Sequence, residues 1–166
     1  GNAQIIVATR MGYAIRIDET QMRPMGRSAH GVKAIRLREG DFVVSMARVR
    51  EGASVLTVTE KGIGRRTPIE SYKLQNRGGM GILNYKVSDE KGFVCGIKVI
   101  DEADDIILVS AGGVIIRIRA KDIRLMGRYA TGVKLMRIPE DDKVVAFTRT
   151  EHDEDAEIAE VEQPSE

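Results

Sequence analysis

The sequence predicts an all-β, propeller-like fold of about three four-stranded blades. The first observation behind this prediction is a threefold repeat whose copies are spaced 50 and 51 residues apart. A period of about 40–50 residues is typical of propeller-like arrays, in which one repeat forms one small sheet. The second observation is that each copy consists of short apolar or alternating segments separated by glycine-containing turns, and the third is that long helical patterns are missing.

Glycine and basic residues define the repeat. In each copy a hydrophobic segment ends at a glycine, and the same residue types recur at fixed distances after it. The recurring positions are the first glycine (Gly12, Gly62, Gly113), an arginine four residues later (Arg16, Arg66, Arg117), an arginine fifteen residues later (Arg27, Arg77, Arg128), a second glycine nineteen residues later (Gly31, Gly81, Gly132) and a basic residue twenty-four residues later (Arg36, Lys86, Arg137). The repeated unit therefore carries both a turn geometry and a positive charge.

The first half of each copy is predicted to be a hairpin. Its first strand is apolar and rich in β-branched residues, as in a buried strand, and covers residues 5–9, 56–59 and 106–110. The first glycine supplies the positive φ that a tight turn needs. The returning strand alternates, as in residues 114–119, where arginines share one face and isoleucines mostly the other.

The second half adds two more strands. A third strand follows the second glycine at residues 32–37, 82–87 and 133–138, and an acidic turn leads to a final strand at residues 42–48, 93–99 and 144–148. This division predicts blades at residues 1–50, 51–101 and 102–150 within one domain, residues 1–150. Helix is limited to single turns near residues 18–22 and 121–125.

The net charge of +1 conceals an asymmetry along the chain. Residues 151–166 contain eight of the 25 acidic residues and none of the 26 Lys and Arg residues, so the repeats carry a formal charge of +9. A basic body predicts a polyanionic ligand, and an acidic tail can compete for the same surface. The alternative is a solvated tail that only aids solubility, and in either case its composition predicts disorder.

Composition also argues against several other classes of protein. The sequence has no run of eighteen apolar residues and nothing resembling a signal peptide, which predicts no membrane association and a cytoplasmic location. The single cysteine, Cys95, excludes an intramolecular disulfide and is expected to be a buried small hydrophobe. Because His30 and His152 are isolated and Asp104 and Asp105 fall in a predicted turn, we predict no metal site, no cofactor and no catalytic group in this chain.

The loops between the two glycines carry the most specific chemistry. Each contains an arginine flanked by small residues, at Arg27, Arg77 and Arg128. A guanidinium group can bind two phosphate oxygens while neighbouring glycines let backbone N–H groups approach the anion. Three such loops at regular spacing predict a row of phosphate contacts along a nucleic-acid backbone. The alternative is that each loop arginine binds the carbonyl groups of a neighbouring blade.

The middle loop resembles a motif of a known family. The segment Gln75-Asn76-Arg77-Gly78-Gly79-Met80-Gly81 is similar to the glutamine–basic–arginine–glycine–glycine–basic–glycine box in the C-terminal domain of the DNA gyrase A subunit. Residues 55–68, 110–117 and 127–137 resemble the same domain, and the resemblance covers residues 5–149. Asn76 and Met80 occupy box positions that are usually basic in the family, which predicts weaker phosphate contact at this loop.

The resemblance implies a β-pinwheel, in which neighbouring blades exchange strands, that binds duplex DNA on a basic outer rim and wraps it. The family disc usually has about six blades, and the three copies resemble the last three. In the whole enzyme such wrapping supports ATP-dependent negative supercoiling. ATP and Mg²⁺ bind elsewhere, and the partners are the rest of the gyrase A subunit together with the gyrase B subunit in an A2B2 complex of the bacterial, nucleoid-associated cytoplasm. A three-blade arc exposes sheet edges, so the fragment is expected either to stay open or to form a homodimer.

The basic positions of the repeats are the predicted DNA contacts. They are Arg16, Arg27, Lys33, Arg36, Arg66, Arg77, Lys86, Arg117, Arg128, Lys134 and Arg137. Contact with the backbone predicts steep salt dependence and little base specificity. Two alternatives stay open: a propeller-type protein-interaction module, which predicts apolar or mixed loops, and the C-terminal domain of the topoisomerase IV A subunit, whose repeats are usually more degenerate.

Overall fold

The computed structural model describes residues 3–22 and 33–162, which form three sheets joined by short turns. The strands are β1 (Gln4–Thr9), β2 (Tyr13–Asp18), β3 (Val43–Arg48), β4 (Ser54–Thr59), β5 (Ile63–Pro68), β6 (Leu74–Gln75), β7 (Ile82–Leu83), β8 (Val94–Ile100), β9 (Asp104–Ser110), β10 (Ile115–Arg119), β11 (Val133–Lys134) and β12 (Val144–Glu151). Helix within the described residues is limited to 3-10 turns at Glu19–Met22, Ile69–Ser71 and Ala120–Asp122. The prediction of an all-β fold with three repeats is confirmed.

Each sheet is built on one antiparallel hairpin, as the repeat predicts. The hairpins are β1–β2, β4–β5 and β9–β10, and the strands β3, β8 and β12 pair with the first strand of their own hairpin. Apolar side chains of adjacent sheets form the core between them. One cluster joins the first two blades and includes Ile6, Val55 and Ile97, and another joins the second and third blades and includes Leu56 and Leu108.

The outer edges of the first two hairpins accept backbone from the repeat that follows. Strands β6 and β7 of the second repeat pair with β2 of the first, and β11 of the third repeat pairs with β5 of the second. The predicted third strands at residues 82–87 and 133–138 are therefore two-residue strands that complete the preceding blade. In the first repeat the predicted third strand lies partly outside the described residues, and its described part makes an isolated bridge from Ile35 to Gly79.

The first glycine of the repeat is where the exchanged backbone docks. Gly12 has a φ of +99°, and its carbonyl accepts hydrogen bonds from the N–H groups of Asn84 and Tyr85 at 2.7 and 2.9 Å. A Cβ atom on Gly12 would lie 1.8 Å from the carbonyl oxygen of Tyr85. Glycine is thus required both for the turn, as predicted, and for the close approach of the next repeat.

Candidate nucleic-acid interface

Six of the eleven predicted DNA contacts have exposed side chains. These residues lie on the segments that are exchanged between repeats or on the equivalent segment of the first repeat. They are Lys33, Arg36, Arg77, Lys86, Lys134 and Arg137. Their exposure leaves the charged groups available to an external ligand, although Arg137 also forms an ion pair with Glu162 of the tail. Arg27 lies outside the described residues.

The basic position twenty-four residues after the first glycine is exposed in all three repeats. In the third repeat the N–H groups of Leu135 and Met136 donate to the carbonyl of Gly62 at 2.8 and 3.3 Å, immediately before Arg137. The second repeat has the same arrangement before Lys86. Because these anchors are backbone hydrogen bonds, the cation that follows is held at an equivalent place on successive blades.

The two described loop arginines differ in their surroundings. Arg77 is exposed, and its backbone N–H donates to Oε1 of Gln21 at 2.7 Å. Arg128 is half-buried, with Nε donating to the carbonyl of Ser71 at 3.1 Å and Nη1 donating to the carbonyl of Leu83. Arg128 therefore binds carbonyl groups of a neighbouring blade, which was the alternative prediction for the loop arginines. The side chain of Arg77, in contrast, is available to a ligand.

The box-like loop is attached to the first repeat through its backbone. The N–H of Gly78 donates to the carbonyl of Ala34 at 2.8 Å, and the carbonyl of Gly79 accepts from the N–H of Arg36 at 2.7 Å. Gly78 and Gly81 have φ values of +81° and +73°, which favour glycine. These glycines shape the loop, and the exposed Arg77 supplies its charge.

Two of the strand arginines bind protein carbonyls. Nη1 of Arg16 donates to the carbonyls of Ile69 and Tyr72, both at 3.1 Å, and Nε of Arg66 donates to the carbonyl of Ile123 at 2.8 Å. The accepting residues surround the 3-10 turn that precedes each exchanged segment. Both arginines are among the predicted DNA contacts, but in the structure their guanidinium groups fix the turn of the following repeat.

The strand arginine of the third repeat, Arg117, lies in an ionic cluster that extends to the start of the acidic tail. Nε of Arg117 donates to Oδ2 of Asp105 at 2.7 Å, and Nη2 donates to the carbonyl of Glu151 at 2.8 Å. Nδ1 of His152 donates to the other carboxylate oxygen of Asp105 at 2.8 Å. Asp105 is fully buried at the start of β9, which corrects the expectation that it lies in a solvated turn.

The hydrogen bonds of this cluster also favour the ionised form of the Asp105 carboxyl group. Burial would raise the pKa of its carboxyl, but the hydrogen bonds from Arg117 and His152 outweigh burial and hold the pKa below its usual value. His152, expected to be isolated, is therefore part of an ionic cluster. The position of Arg117 in this cluster makes it a structural residue of the third blade.

A further arginine, which the repeat pattern did not single out, is completely buried on the face of the second blade that packs against the first. Arg65 donates from Nη1 to the carbonyls of Arg128 and Ala130 at 2.6 and 3.1 Å, and from Nη2 to both the carbonyl and Oδ1 of Asn84 at 2.6 and 2.8 Å. Its Nε donates to Oγ1 of Thr67 at 2.7 Å. Burial lowers the pKa of the guanidinium group. Arg65 thus joins the loop of the third repeat to the exchanged strand of the second.

The sequence does contain a signal for this buried position. Three residues after the first glycine, the other two repeats have Ile15 and Ile116, which are apolar, where the middle repeat has Arg65. An arginine that replaces an inward-facing isoleucine must be satisfied by hydrogen bonds inside the protein.

Within residues 3–22 and 33–162, no group of three or more His, Cys, Asp and Glu residues is arranged to hold a metal ion. His30 lies outside the described residues. In the same part of the chain, no helix is long and apolar enough to cross a membrane. Cys95 is half-buried, and burial, with the nearby Glu60, raises the pKa of its thiol to about 11, so the thiol stays protonated at neutral pH.

A family model matches three consecutive ranges of the chain. This model, described as "DNA gyrase C-terminal domain, beta-propeller", matches residues 3–50, 53–101 and 104–151. The chain is 41% identical to the DNA gyrase A subunit of Staphylococcus aureus (strain NCTC 8325 / PS 47) over 165 residues, which are 98% of this chain and 19% of that protein. The chain therefore spans about a fifth of the length of this curated relative.

Solved structures agree with the sequence comparison. A structure of a DNA gyrase A C-terminal domain superposes with a TM-score of 0.82 at 27% identity, covering 89% of this chain and 50% of that one. A crystal structure of the C-terminal domain of DNA topoisomerase IV gives a TM-score of 0.82 at 26% identity, covering 90% of this chain and 47% of that one. Because the family model matches most of the sequence in three ranges that coincide with the three blades, the chain belongs to the DNA gyrase C-terminal domain family.

Proposed function

We propose that the chain binds duplex DNA through its phosphate backbone, along the outer edge formed by the exchanged segments, as part of a DNA gyrase A subunit. The observation that carries this proposal is the exposed cation twenty-four residues after the first glycine of every repeat, at Arg36, Lys86 and Arg137, which follows a backbone anchor in the second and third repeats. A cation at the same place on consecutive blades matches a ligand with regularly spaced negative charges. Arg77 and Lys134 add to the same segments.

Wrapping follows from the geometry of such contacts. A duplex that contacts cations of three successive repeats must follow the outer edge of the arc and bend with it. Bending a site of 20–30 base pairs costs about 1–6 kcal/mol, which several phosphate contacts can offset. Contacts of this kind depend little on base sequence.

The buried and half-buried arginines have a different role in this proposal. Arg16 and Arg66 fix the turns that lead into the exchanged segments, and Arg65 and Arg128 hold the third-repeat loop against the second blade. They position the exposed cations and do not need to reach the DNA themselves. The positive charge of the rim is thus carried by the exposed group.

For the whole protein, we propose the role that family membership suggests. The wrapped duplex would be presented to the strand-passage domains of the enzyme, so that ATP-dependent passage introduces negative supercoils. The ATP and Mg²⁺ sites would lie in other domains. The partners would be the rest of the gyrase A subunit together with the gyrase B subunit in an A2B2 complex on cytoplasmic, nucleoid-associated DNA.

The test is duplex binding by the full chain at several salt concentrations. Each phosphate neutralised contributes about −0.9 to the slope of log K against log salt. Replacing Arg36, Lys86 and Arg137 with alanine should therefore weaken binding and reduce the slope by up to about 2.7.

A matched control removes three exposed cations that lie outside the exchanged segments, Arg48, Lys121 and Lys143. Both triple variants change the net charge equally, so a general electrostatic attraction would weaken binding equally in both. The proposal requires a clearly larger loss in the first variant. Equal losses, or wild-type binding that salt does not affect, would contradict it.

A further inference from the structure

The described part of the acidic tail covers the outer edge of the third blade. The N–H of Ala159 donates to the carbonyl of Arg117 on β10 at 2.8 Å. Val161 is 8% exposed and belongs to the apolar core that the second and third blades share. Composition predicts a disordered tail, but residues 151–162 instead lie against the third blade.

The tail makes the backbone contact that an exchanged segment makes in the second blade. There, the N–H of Met126 donates to the carbonyl of Arg66 at 2.9 Å. Arg66 and Arg117 are the same position of the repeat, four residues after the first glycine. Ala159 therefore occupies the place of Met126.

The turn that precedes this contact is also the same. Three residues before Ala159, the N–H of Ala156 donates to the carbonyl of Asp153 at 3.2 Å. Three residues before Met126, the N–H of Ile123 donates to the carbonyl of Ala120 at 3.0 Å. The second repeat has the same turn, with the N–H of Tyr72 donating to the carbonyl of Ile69 at 3.1 Å before the pairing of Leu74 with Arg16.

We propose that residues 153–161 act as a surrogate exchanged strand, so that the outer edge of the third blade is a strand-acceptor site occupied by the tail of the same chain. The natural competitor for this site is an exchanged segment of another repeat. The edge of β10 would otherwise be an unpaired strand edge, which is a template for association with other chains. The tail closes it.

The tail differs in sequence from the exchanged segments, and its side chains explain how it can occupy the same site. Ile158 lines a groove with Ile115 and Ile116 of β10 and stands at the position of Leu74 and Leu125 in the exchanged segments. An apolar residue therefore stands at this position in all three blades.

Charge at the site is reversed. Glu157 stands where the exchanged segments have Lys73 and Arg124. Glu162 forms an ion pair with Arg137 of the third repeat. The tail thus shares its backbone pairing and its apolar position with the exchanged segments. Its negative charge is not shared with them.

The first test measures amide hydrogen exchange in the tail of the full chain. Ala159→Pro removes the N–H that donates to Arg117, whereas Ala159→Ser keeps it. Loss of this hydrogen bond should loosen the tail and speed exchange at Ala156, whose N–H donates to the carbonyl of Asp153, by about tenfold in the proline variant. The serine variant should match the wild type.

The second test asks whether the vacated edge accepts an exchanged segment. A fluorescent peptide of residues 119–130, which contains the 3-10 turn and the exchanged segment that follows it, should bind the Ala159→Pro chain at least about tenfold more tightly than the wild type or Ala159→Ser. Val161→Asp, which places a charge in the shared core, should have the effect of the proline variant.

Two results would overturn the proposal. One is tail exchange that is equally slow in the proline and serine variants. The other is a peptide affinity that is the same for all four chains. Neither measurement involves DNA, so failure here leaves the proposed function untouched.

Discussion

The contribution of strand exchange to stability can be measured by comparing two glycine substitutions. Gly113 and Gly132 have the same φ of +92°. A Cβ on Gly113 would have no atom within 4 Å, whereas a Cβ on Gly132 would lie 2.2 Å from the carbonyl oxygen of Gly64 on β5. Alanine therefore meets the same backbone strain at both positions but blocks the docking of β11 only at Gly132.

The expected difference follows from these contacts. Left-handed backbone costs an alanine about 1–2 kcal/mol, and this cost is common to both variants. Relief of the clash at Gly132 requires β11 to move away from β5, and overpacking of this kind costs about 1–3 kcal/mol. Weakening the hydrogen bonds from Leu135 and Met136 to Gly62 adds about 0.5–1.5 kcal/mol for each bond lost. Gly132→Ala should thus be about 2–4 kcal/mol less stable than Gly113→Ala.

Urea unfolding followed by circular dichroism gives the free energy of unfolding of both variants. Amide exchange at Val133 and Leu135 reports separately whether β11 has left β5. The prediction requires a lower urea midpoint for Gly132→Ala together with faster exchange at these two residues. If the two variants lose the same stability and exchange at the same rate, the close approach at Gly132 does not hold the blades together.

Three further predictions concern the interior and the loop. Arg65→Met should lower the free energy of unfolding by about 2–4 kcal/mol, because it leaves the carbonyls of Arg128, Ala130 and Asn84 without their donor, and an unchanged thermal midpoint would contradict this. The folded state holds the pKa of Asp105 below its usual value, so its carboxylate stabilises the fold fully above about pH 4 and this contribution is lost as the pH falls further. Asp105→Asn should therefore flatten the acid limb of the curve of stability against pH. An acid limb identical to that of the wild type would argue against this. Replacing Asn76 and Met80, both exposed, with lysine should tighten duplex binding and steepen its salt slope by up to about 1.8, and an unchanged slope would show that the box-like loop does not contact phosphate.

The parts of the fold that could be predicted from the sequence are those that depend on one hairpin. The first glycine of each repeat needs a positive φ whatever surrounds it, and the alternating strands on either side follow from short-range pattern. Exchange of strands was implied only by the family resemblance, because the pairing of Arg16 with Leu74 joins residues that no local pattern connects.

The division of the arginines between surface and interior could not be predicted in the same way. Arg16 alternates with apolar residues as an exposed cation would, and Arg66 lies in a polar stretch, but their partners Tyr72 and Ile123 lie 56 and 57 residues away. The contacts of the tail could not be predicted from the sequence for a related reason. Its acidic composition predicts disorder, yet Ile158 and Val161 provide enough apolar contact for the edge of the third blade to order it.

The third blade shows how a repeat adapts when a tail follows it in place of another repeat. In the first blade, Nε of the strand arginine, Arg16, donates to the neutral amide oxygen of Gln4 at 2.7 Å, and Nη1 donates to two carbonyls of the next repeat. In the third blade, Nε of Arg117 donates to the buried carboxylate of Asp105 at 2.7 Å, and the chain beyond β10 supplies the single carbonyl of Glu151. Hydrogen bonds between charged groups are roughly twice as strong as neutral ones. The carboxylate of Asp105 therefore fixes Arg117 within its own blade. As a result, the edge of β10, which the tail covers, depends less on the strand that occupies it.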